Sequence, residues 1–227
     1  TPVFVEGTLE ADFKITPAQL EAAITDKTRA IIYSSPCNPS GSVYTREELQ
    51  GLATVLAKYP DVIIISDEIY EHIVYGEKNV SIASFPEVYN QTVTVNGLAK
   101  AFAMTGWRIG YVAGSKELIQ CMVTMQQYAF SSVNSFAQKA ALYALDYDTN
   151  ALIKDYKRKR DLIYEGIKDK YNVVKPKGAY FIFPEVPGGN GDKFVEKALK
   201  NNLFIIPGSV FSKKKSNVRI SFAASEE

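Results

Sequence analysis

Residues 62 to 65 read Val-Ile-Ile-Ile, β-branched side chains in unbroken succession, with Ser66, Asp67 and Glu68 following at once. Such side chains are stiff at χ1 and favour strands. A strand that is apolar at every position, rather than at every second one, is expected to be covered on both faces. That is the setting of a parallel sheet between helices. The neighbouring segments extend the pattern. Ala30-Ile-Ile-Tyr33, Thr92-Val-Thr-Val95 and Ile109-Gly-Tyr-Val112 read as further strands, and Val3 to Val5 as one near the start. Thr45-Arg-Glu-Glu48 is a capping box ahead of Leu49, Leu52 and Leu56. Lys116 to Tyr128 and Ser135 to Leu145 read as helices. The alternation predicts an α/β fold, a three-layer α/β/α unit around a mainly parallel sheet.

A long charged helix is expected from about Asn150 to Lys170. Beyond it the pattern changes. Ala179 to Phe183, Leu203 to Ile206 and Val218 to Phe222 read as strands, with a helix capped by Asp192 and running to about Asn202. This predicts a smaller α+β unit over residues 153–227, after a larger one over 1–152. Both ends of the sequence lie against apparent strands, and the chain reads as part of something longer.

Charge and composition narrow the function classes. With 26 Lys and Arg against 25 Asp and Glu, the formal net charge is +1, so no strong field draws nucleic acid or an anionic membrane. The basic run Lys213 to Lys215 reads as a solvated loop. No apolar stretch approaches the roughly 20 residues of a membrane span, and the first residues show no signal-peptide pattern. Cys37 and Cys121 match no metal or redox spacing and read as reduced thiols, so the cytoplasm is the expected compartment. His72 is the only histidine, which excludes a multi-histidine metal site.

Ligands of open α/β sheets bind beyond the carboxyl ends of the strands. Consecutive strand ends here carry Ser35-Pro-Cys-Asn-Pro-Ser-Gly41, Ser66-Asp-Glu-Ile-Tyr70 and Asn96-Gly-Leu-Ala-Lys100. They bring an Asn, an Asp with a Tyr, and a Lys toward one pocket. Asp67 is either a cap for the turn that follows or a carboxylate held beside a cation. Glu68 faces the other way on an extended backbone, so only one of the two need enter the site. Lys100, among Gly97, Leu98, Ala101 and Phe102, is either a surface residue or a desolvated amine suited to Schiff-base chemistry. Arg108, in a stretch expected to be a closely packed turn around Trp107, is either a surface ion pair or an anion clamp. Arg219 lies inside an apolar strand and needs a partner, either a structural carboxylate or an anionic ligand.

The blocks around these residues match a known family in order and spacing. They are Ser35 to Gly41, Asp67 to Tyr70, Asn96 to Tyr111, Pro176-Lys-Gly-Ala-Tyr180, Pro207-Gly-Ser-Val-Phe211 and Asn217 to Ser221. The chain resembles the class I/II aminotransferases of fold type I, most closely the bacterial aspartate aminotransferase branch. The resemblance implies pyridoxal 5'-phosphate as cofactor, with Lys100 holding it as a Schiff base and then acting as the base. It implies that Asp67 pairs with the pyridinium nitrogen. Tyr70 and Asn38 would bond the ring oxygen, Arg108 the phosphate, and Arg219, with Asn38, the substrate α-carboxylate. The implied reaction passes an amino group from an amino acid to a 2-oxo acid in two half-reactions, and the implied assembly is a homodimer.

The sequence departs from the family pattern at a few places. Ser40 stands where the family has a threonine, Ala99 where many relatives have a serine, and Tyr128 and Phe130 where polar residues are common. The family's phosphate-binding glycine loop and ring-stacking aromatic fall outside these residues, as does its last helix. Weak or absent activity is therefore expected of these 227 residues alone. Two alternatives share the same residues: another reaction of the same cofactor, such as C–S bond lysis, and a non-catalytic effector-sensing domain.

Overall fold

The computed structural model describes residues 1–225. Strands β1 (Ala30–Ser34), β2 (Ile63–Asp67), β3 (Thr92–Gly97) and β4 (Gly110–Ala113) form one sheet in that order. β1, β2 and β3 are parallel, so the fold is α/β with a mainly parallel sheet. β4 runs antiparallel on β3. Residues 98–109, which link them, contain only a short 3-10 turn, and a parallel return would need a helical crossover. Ser34 lies beside Asp67 and Asp67 beside Val95, so three carboxyl ends finish at one edge of the sheet.

One face of this sheet carries helices α1 (Pro17–Ala23) and α2 (Arg46–Leu56). Thr45 accepts from the Glu48 amide while the Glu48 carboxylate accepts from the Thr45 amide, which completes the capping box. Leu49, Leu52, Ala53 and Leu56 then pack with Leu20, Ile64, Ile82 and Phe85 in a core cluster. Helix α1 lies outside the elements expected from the sequence, although Thr16, Pro17 and Gln19 form the same kind of start signal. The opposite face is less covered than a uniformly apolar strand predicts. In β2, Ile64 and Ser66 are buried but Ile63 and Ile65 are half-buried, and Ile32 of β1 is 75% exposed. Val3 to Val5 is not a strand. It has no ladder partner among the described residues, and Val3 is 77% exposed.

Helices α3 (Lys116–Ala129) and α4 (Ser135–Leu145) agree with expectation to within a residue. Helix α5 (Asn150–Ile167) places Ile153, Tyr156, Ile163, Tyr164 and Ile167 against a second cluster. That cluster contains Tyr70, Ile73 and Tyr75 together with Ala179, Phe181, Ile182 and Phe222.

The remaining elements are β5 (Phe181–Ile182), α6 (Gly191–Leu199), β6 (Ile206–Pro207) and β7 (Val218–Ser221). They give an antiparallel sheet in the order β5-β7-β6. Two strands are shorter than the apolar runs suggested. Ala179 has φ 54° and donates to the Ile73 carbonyl, so its segment pairs elsewhere before β5 begins. Leu203 donates back to the Ala198 carbonyl, which ends α6 and leaves Leu203 and Phe204 exposed. The cap of α6 is Asn190, accepting from the Lys193 amide, and not Asp192. Asp192 sits in the first turn and accepts from Ser209 Oγ at 2.6 Å.

Candidate active site

The loop after β1 is fixed by its contact with the far end of the chain. Gly41 adopts φ +70°, and a Cβ there would lie 2.6 Å from the Pro176 Cβ and 2.9 Å from the Phe181 carbonyl oxygen. The Gly41 carbonyl accepts from the amides of Lys177 and Gly178 at 2.8 and 2.9 Å. The Ser35–Pro36 and Asn38–Pro39 peptide bonds are cis. Docking of this loop beside β5 puts Asn38 within reach of β7, where Arg219 Nη1 donates to Asn38 Oδ1 at 2.8 Å.

The Arg219 guanidinium lies between two aromatic rings, 4.3 Å from the Phe181 centroid and 4.5 Å from that of Phe211. Its Nε is buried and has no hydrogen-bond partner among the described residues. Burial holds the guanidinium below the usual arginine range, against the nearby Tyr70 and Tyr180 hydroxyls. The partners of Arg219 are thus an amide and two rings, and no structural carboxylate pairs with it among the described residues.

Asp67 ends β2 half-buried, and its Oδ1 accepts from the Ile69 amide at 3.1 Å. The capping role weighed from the sequence is therefore present. Glu68 faces away, buried, and accepts from Ser66 and Ser81. Tyr70 is 3% exposed and packs edge-on against Tyr180 at 5.4 Å and Phe181 at 6.0 Å. Burial pushes its phenol well above the usual tyrosine value, with the Tyr180 hydroxyl adding to the effect.

Lys100 is half-buried in the turn after β3, anchored by the buried Leu98 and Ala101 on either side. Its Nζ lies 6.0 Å from the Tyr70 ring centre and pairs with no carboxylate among the described residues. The return into β4 depends on close backbone contact: a Cβ on Gly110 would lie 2.9 Å from the Asn96 carbonyl oxygen. Arg108 is exposed on the same loop, with φ 53° and ψ 46°, and Nη1 donates to the Thr105 carbonyl at 3.2 Å. Trp107 is exposed and touches Phe136 edge-on, so this turn is not the closely packed one expected.

The structure thus joins Asn38 to Arg219, Arg219 through Phe181 to Tyr70, and Tyr70 to Lys100. Asp67 stands at the adjoining strand end, and the side-chain hydrogen bond of Arg108 goes to its own loop, at the Thr105 carbonyl. Sequence reasoning missed Tyr180, Phe181 and Phe211 as parts of the site. Tyr180 and Phe211 lie inside blocks that carried the family resemblance, and that was the available signal.

An amine and a desolvated phenol beyond the carboxyl ends of one sheet thus lie near an arginine of the other sheet that has no carboxylate partner among the described residues, within an α/β fold. Residues 1–227 match the family described as aminotransferase class I and II, and the chain belongs to that family. Among curated relatives, it is 40% identical over 239 residues to an aspartate aminotransferase of Bacillus subtilis (strain 168), covering 99% of this chain and 60% of the relative. An aspartate aminotransferase of Geobacillus stearothermophilus is 41% identical, with 99% and 60% coverage. The crystal structure of an aromatic aminotransferase from Pyrococcus horikoshii OT3 superposes with a TM-score of 0.95 at 40% identity, covering 99% of this chain and 63% of that one. The chain therefore spans about 60% of the length of the curated relatives it matches.

Proposed function

We propose that the protein is a pyridoxal-phosphate-dependent aminotransferase that moves an amino group between an amino acid and a 2-oxo acid. One observation carries this most: Arg219 is oriented by Asn38, keeps its buried Nε without a partner, and lies in one aromatic cluster with Tyr70, over which Lys100 sits. A cation in that state suits a carboxylate ligand. The donor set also fits the cofactor. Lys100 offers an amine with no ion pair among the described residues, Asp67 a carboxylate for a pyridinium nitrogen, and Tyr70 and Asn38 donors for a ring oxygen. Arg108 is exposed and held only by a backbone carbonyl, which leaves it available for the phosphate.

When bound, the cofactor supplies the electron sink for the reaction. Arg219 holds the substrate α-carboxylate in two parallel hydrogen bonds and so fixes the direction of the α-hydrogen. Lys100 Nζ, close to Tyr70, accepts the proton from the substrate α-carbon. The Tyr70 phenol stays protonated through the neutral range and serves as a donor. The rings of Phe181 and Phe211 lie against the guanidinium and limit the directions from which a carboxylate can reach it.

The proposal extends to architecture. We take residues 1–152 as the cofactor-binding part and 153–227 as a smaller α+β part, supported by the separate antiparallel sheet β5-β7-β6. We also take the working unit as a homodimer. The exposed apolar side chains Met125, Tyr128, Phe130 and Tyr143 support this. No helix among the described residues is long and apolar enough to cross a membrane, and no cluster suited to a metal ion is found among them.

The test is titration with pyridoxal phosphate, borohydride fixation and peptide mapping, followed by incubation with amino acids and 2-oxo acids. With the whole protein, bleaching of a visible band as borohydride fixes the cofactor onto Lys100, and a new amino acid among the products, are expected. Fixation at another lysine, or release of ammonia and a thiol in place of a new amino acid, would overturn the proposal.

A further inference from the structure

Glu68 is a carboxyl at 2% exposure whose side-chain hydrogen-bond partners among the described residues are hydroxyls and not a cation. Ser66 Oγ donates to its Oε1 at 2.9 Å, and Ser81 Oγ donates to the same atom at 2.7 Å. The Tyr33 hydroxyl lies 3.0 Å from Ser66 Oγ. Ser66 has one proton and gives it to Glu68, so Tyr33 is the donor in that contact. Donation thus runs from Tyr33 through Ser66 to Glu68, and from Ser81 to Glu68. The chain ties the end of β2 sideways to β1, and also to the start of the 3-10 turn Ile82–Ser84, which Ser81 caps through the Ala83 amide. The backbone at this point is pinned as well. Ser35 donates to the Asp67 carbonyl and Glu68 donates to the Val95 carbonyl.

Asp67 precedes Glu68 and faces the other way. Its carboxylate is restrained by a single hydrogen bond, from the Ile69 amide at 3.1 Å. The direction of that carboxylate therefore depends on the backbone at residues 67–69, and the Glu68 side chain restrains this backbone beside its main-chain hydrogen bonds. A group that costs much to bury, placed next to a proposed cofactor ligand, is poorly explained by packing alone.

We propose that Glu68 is a positioning residue, which through Ser66 and Ser81 fixes the backbone that aims Asp67 at the cofactor ring nitrogen. It does so without touching the cofactor, and the proposal rests on the cofactor site assigned above. Burial pushes the Glu68 carboxyl up against the pull of Ser81 and Ser66, and Glu71 and Asp67 push it further. Tyr33 and Tyr111 face it from β1 and β4. The carboxyl in this place acts through its hydrogen bonds, and glutamine can keep those with the two serines.

The experiment measures the pyridoxal-phosphate dissociation constant and the pH midpoint of the visible band of the bound cofactor. It compares the wild-type protein with Glu68→Leu, Glu68→Gln, Ser81→Ala and Asp67→Ala, with circular dichroism of each cofactor-free protein as the folding control. Glu68→Leu and Ser81→Ala are expected to weaken binding by about tenfold, the effect of stranding a buried polar group, and to shift the pH midpoint. Glu68→Gln is expected to hold affinity within about threefold of wild type. Folded Glu68→Leu with wild-type affinity and midpoint would overturn the proposal, and so would Glu68→Gln as weak as Glu68→Leu. If Glu68→Leu does not fold, Ser81→Ala decides in the same way. Asp67→Ala separates the two levels. If it binds the cofactor as well as wild type, the cofactor site itself is misassigned. If it binds weakly while the Glu68 and Ser81 variants are normal, only the positioning role fails.

Discussion

Arg219 and Asn38, 181 residues apart in sequence, share a hydrogen bond of 2.8 Å from Nη1 to Oδ1. An amide oxygen orients a guanidinium without neutralising it. With Phe181 and Phe211 against it and no carboxylate partner among the described residues, Arg219 would, on the proposed function, keep its charge for a ligand.

Arg219→Lys should therefore act on substrate binding. A compact ammonium cannot fill the slot between two rings or form two parallel bonds to a carboxylate. The loss should be about 1.5–3 kcal/mol, a rise in KM for the amino donor of roughly 10- to 150-fold. Steady-state kinetics with varied amino donor measures it, and an unchanged KM would remove Arg219 from the carboxylate site.

Gly41→Ala should damage stability and substrate affinity together. The new methyl group meets Pro176, and the backbone there is left-handed. Such strain costs about 1–3 kcal/mol. A lower thermal midpoint with a raised KM is expected. A stability loss with an unchanged KM would show that the Gly41 contact does not hold Asn38 in place.

Lys100→Ala should abolish the borohydride-fixed adduct and lower the transfer rate by at least about 10²- to 10⁴-fold. Lys100 takes part in no ion pair among the described residues, so denaturant unfolding should change by less than about 1 kcal/mol. Methylamine, added as an external amine, should restore part of the rate.

Alkaline pH should destabilise the fold. Burial pushes the phenols of Tyr33, Tyr70 and Tyr75 above the usual tyrosine range, and that of Tyr44 up to about 12. An unfolded chain ionises them near pH 10, roughly the free-tyrosine value. Above that pH the folded state binds more protons than the unfolded one, so stability falls as pH rises. Below it the contribution is fully present. Ultraviolet titration should show these tyrosines ionising only as the protein unfolds. Their smooth ionisation in the folded protein would contradict the burial assigned to them.

Local signals in the sequence were reliable where they depend on a few adjacent residues. Thr45 and Glu48 announce their helix by mutual capping, and Val62 to Ile65 announces its strand by side-chain type. Direction and length were less legible, because they depend on distant partners. β4 is antiparallel, with no crossover helix in the segment that joins it to β3, and the run from Ala179 begins by pairing with Ile73. The same limit applies at the site. Asn38, Asp67, Tyr70 and Lys100 follow strand ends and could be grouped by rule. That Arg219 would meet Asn38 between two phenylalanine rings depends on docking at Gly41, which no local pattern encodes.

That docking also sets an order of assembly. A ribosome delivers Asn38, Asp67, Tyr70 and Lys100 well before Arg219, and β7 is the last strand among the described residues. On the proposed assignment, the nascent protein gains its lysine early and its grip on carboxylates late. An incompletely synthesised or misdocked chain would carry the reactive amine without the means to select what reaches it, and capture of stray aldehydes by such chains would be the visible sign.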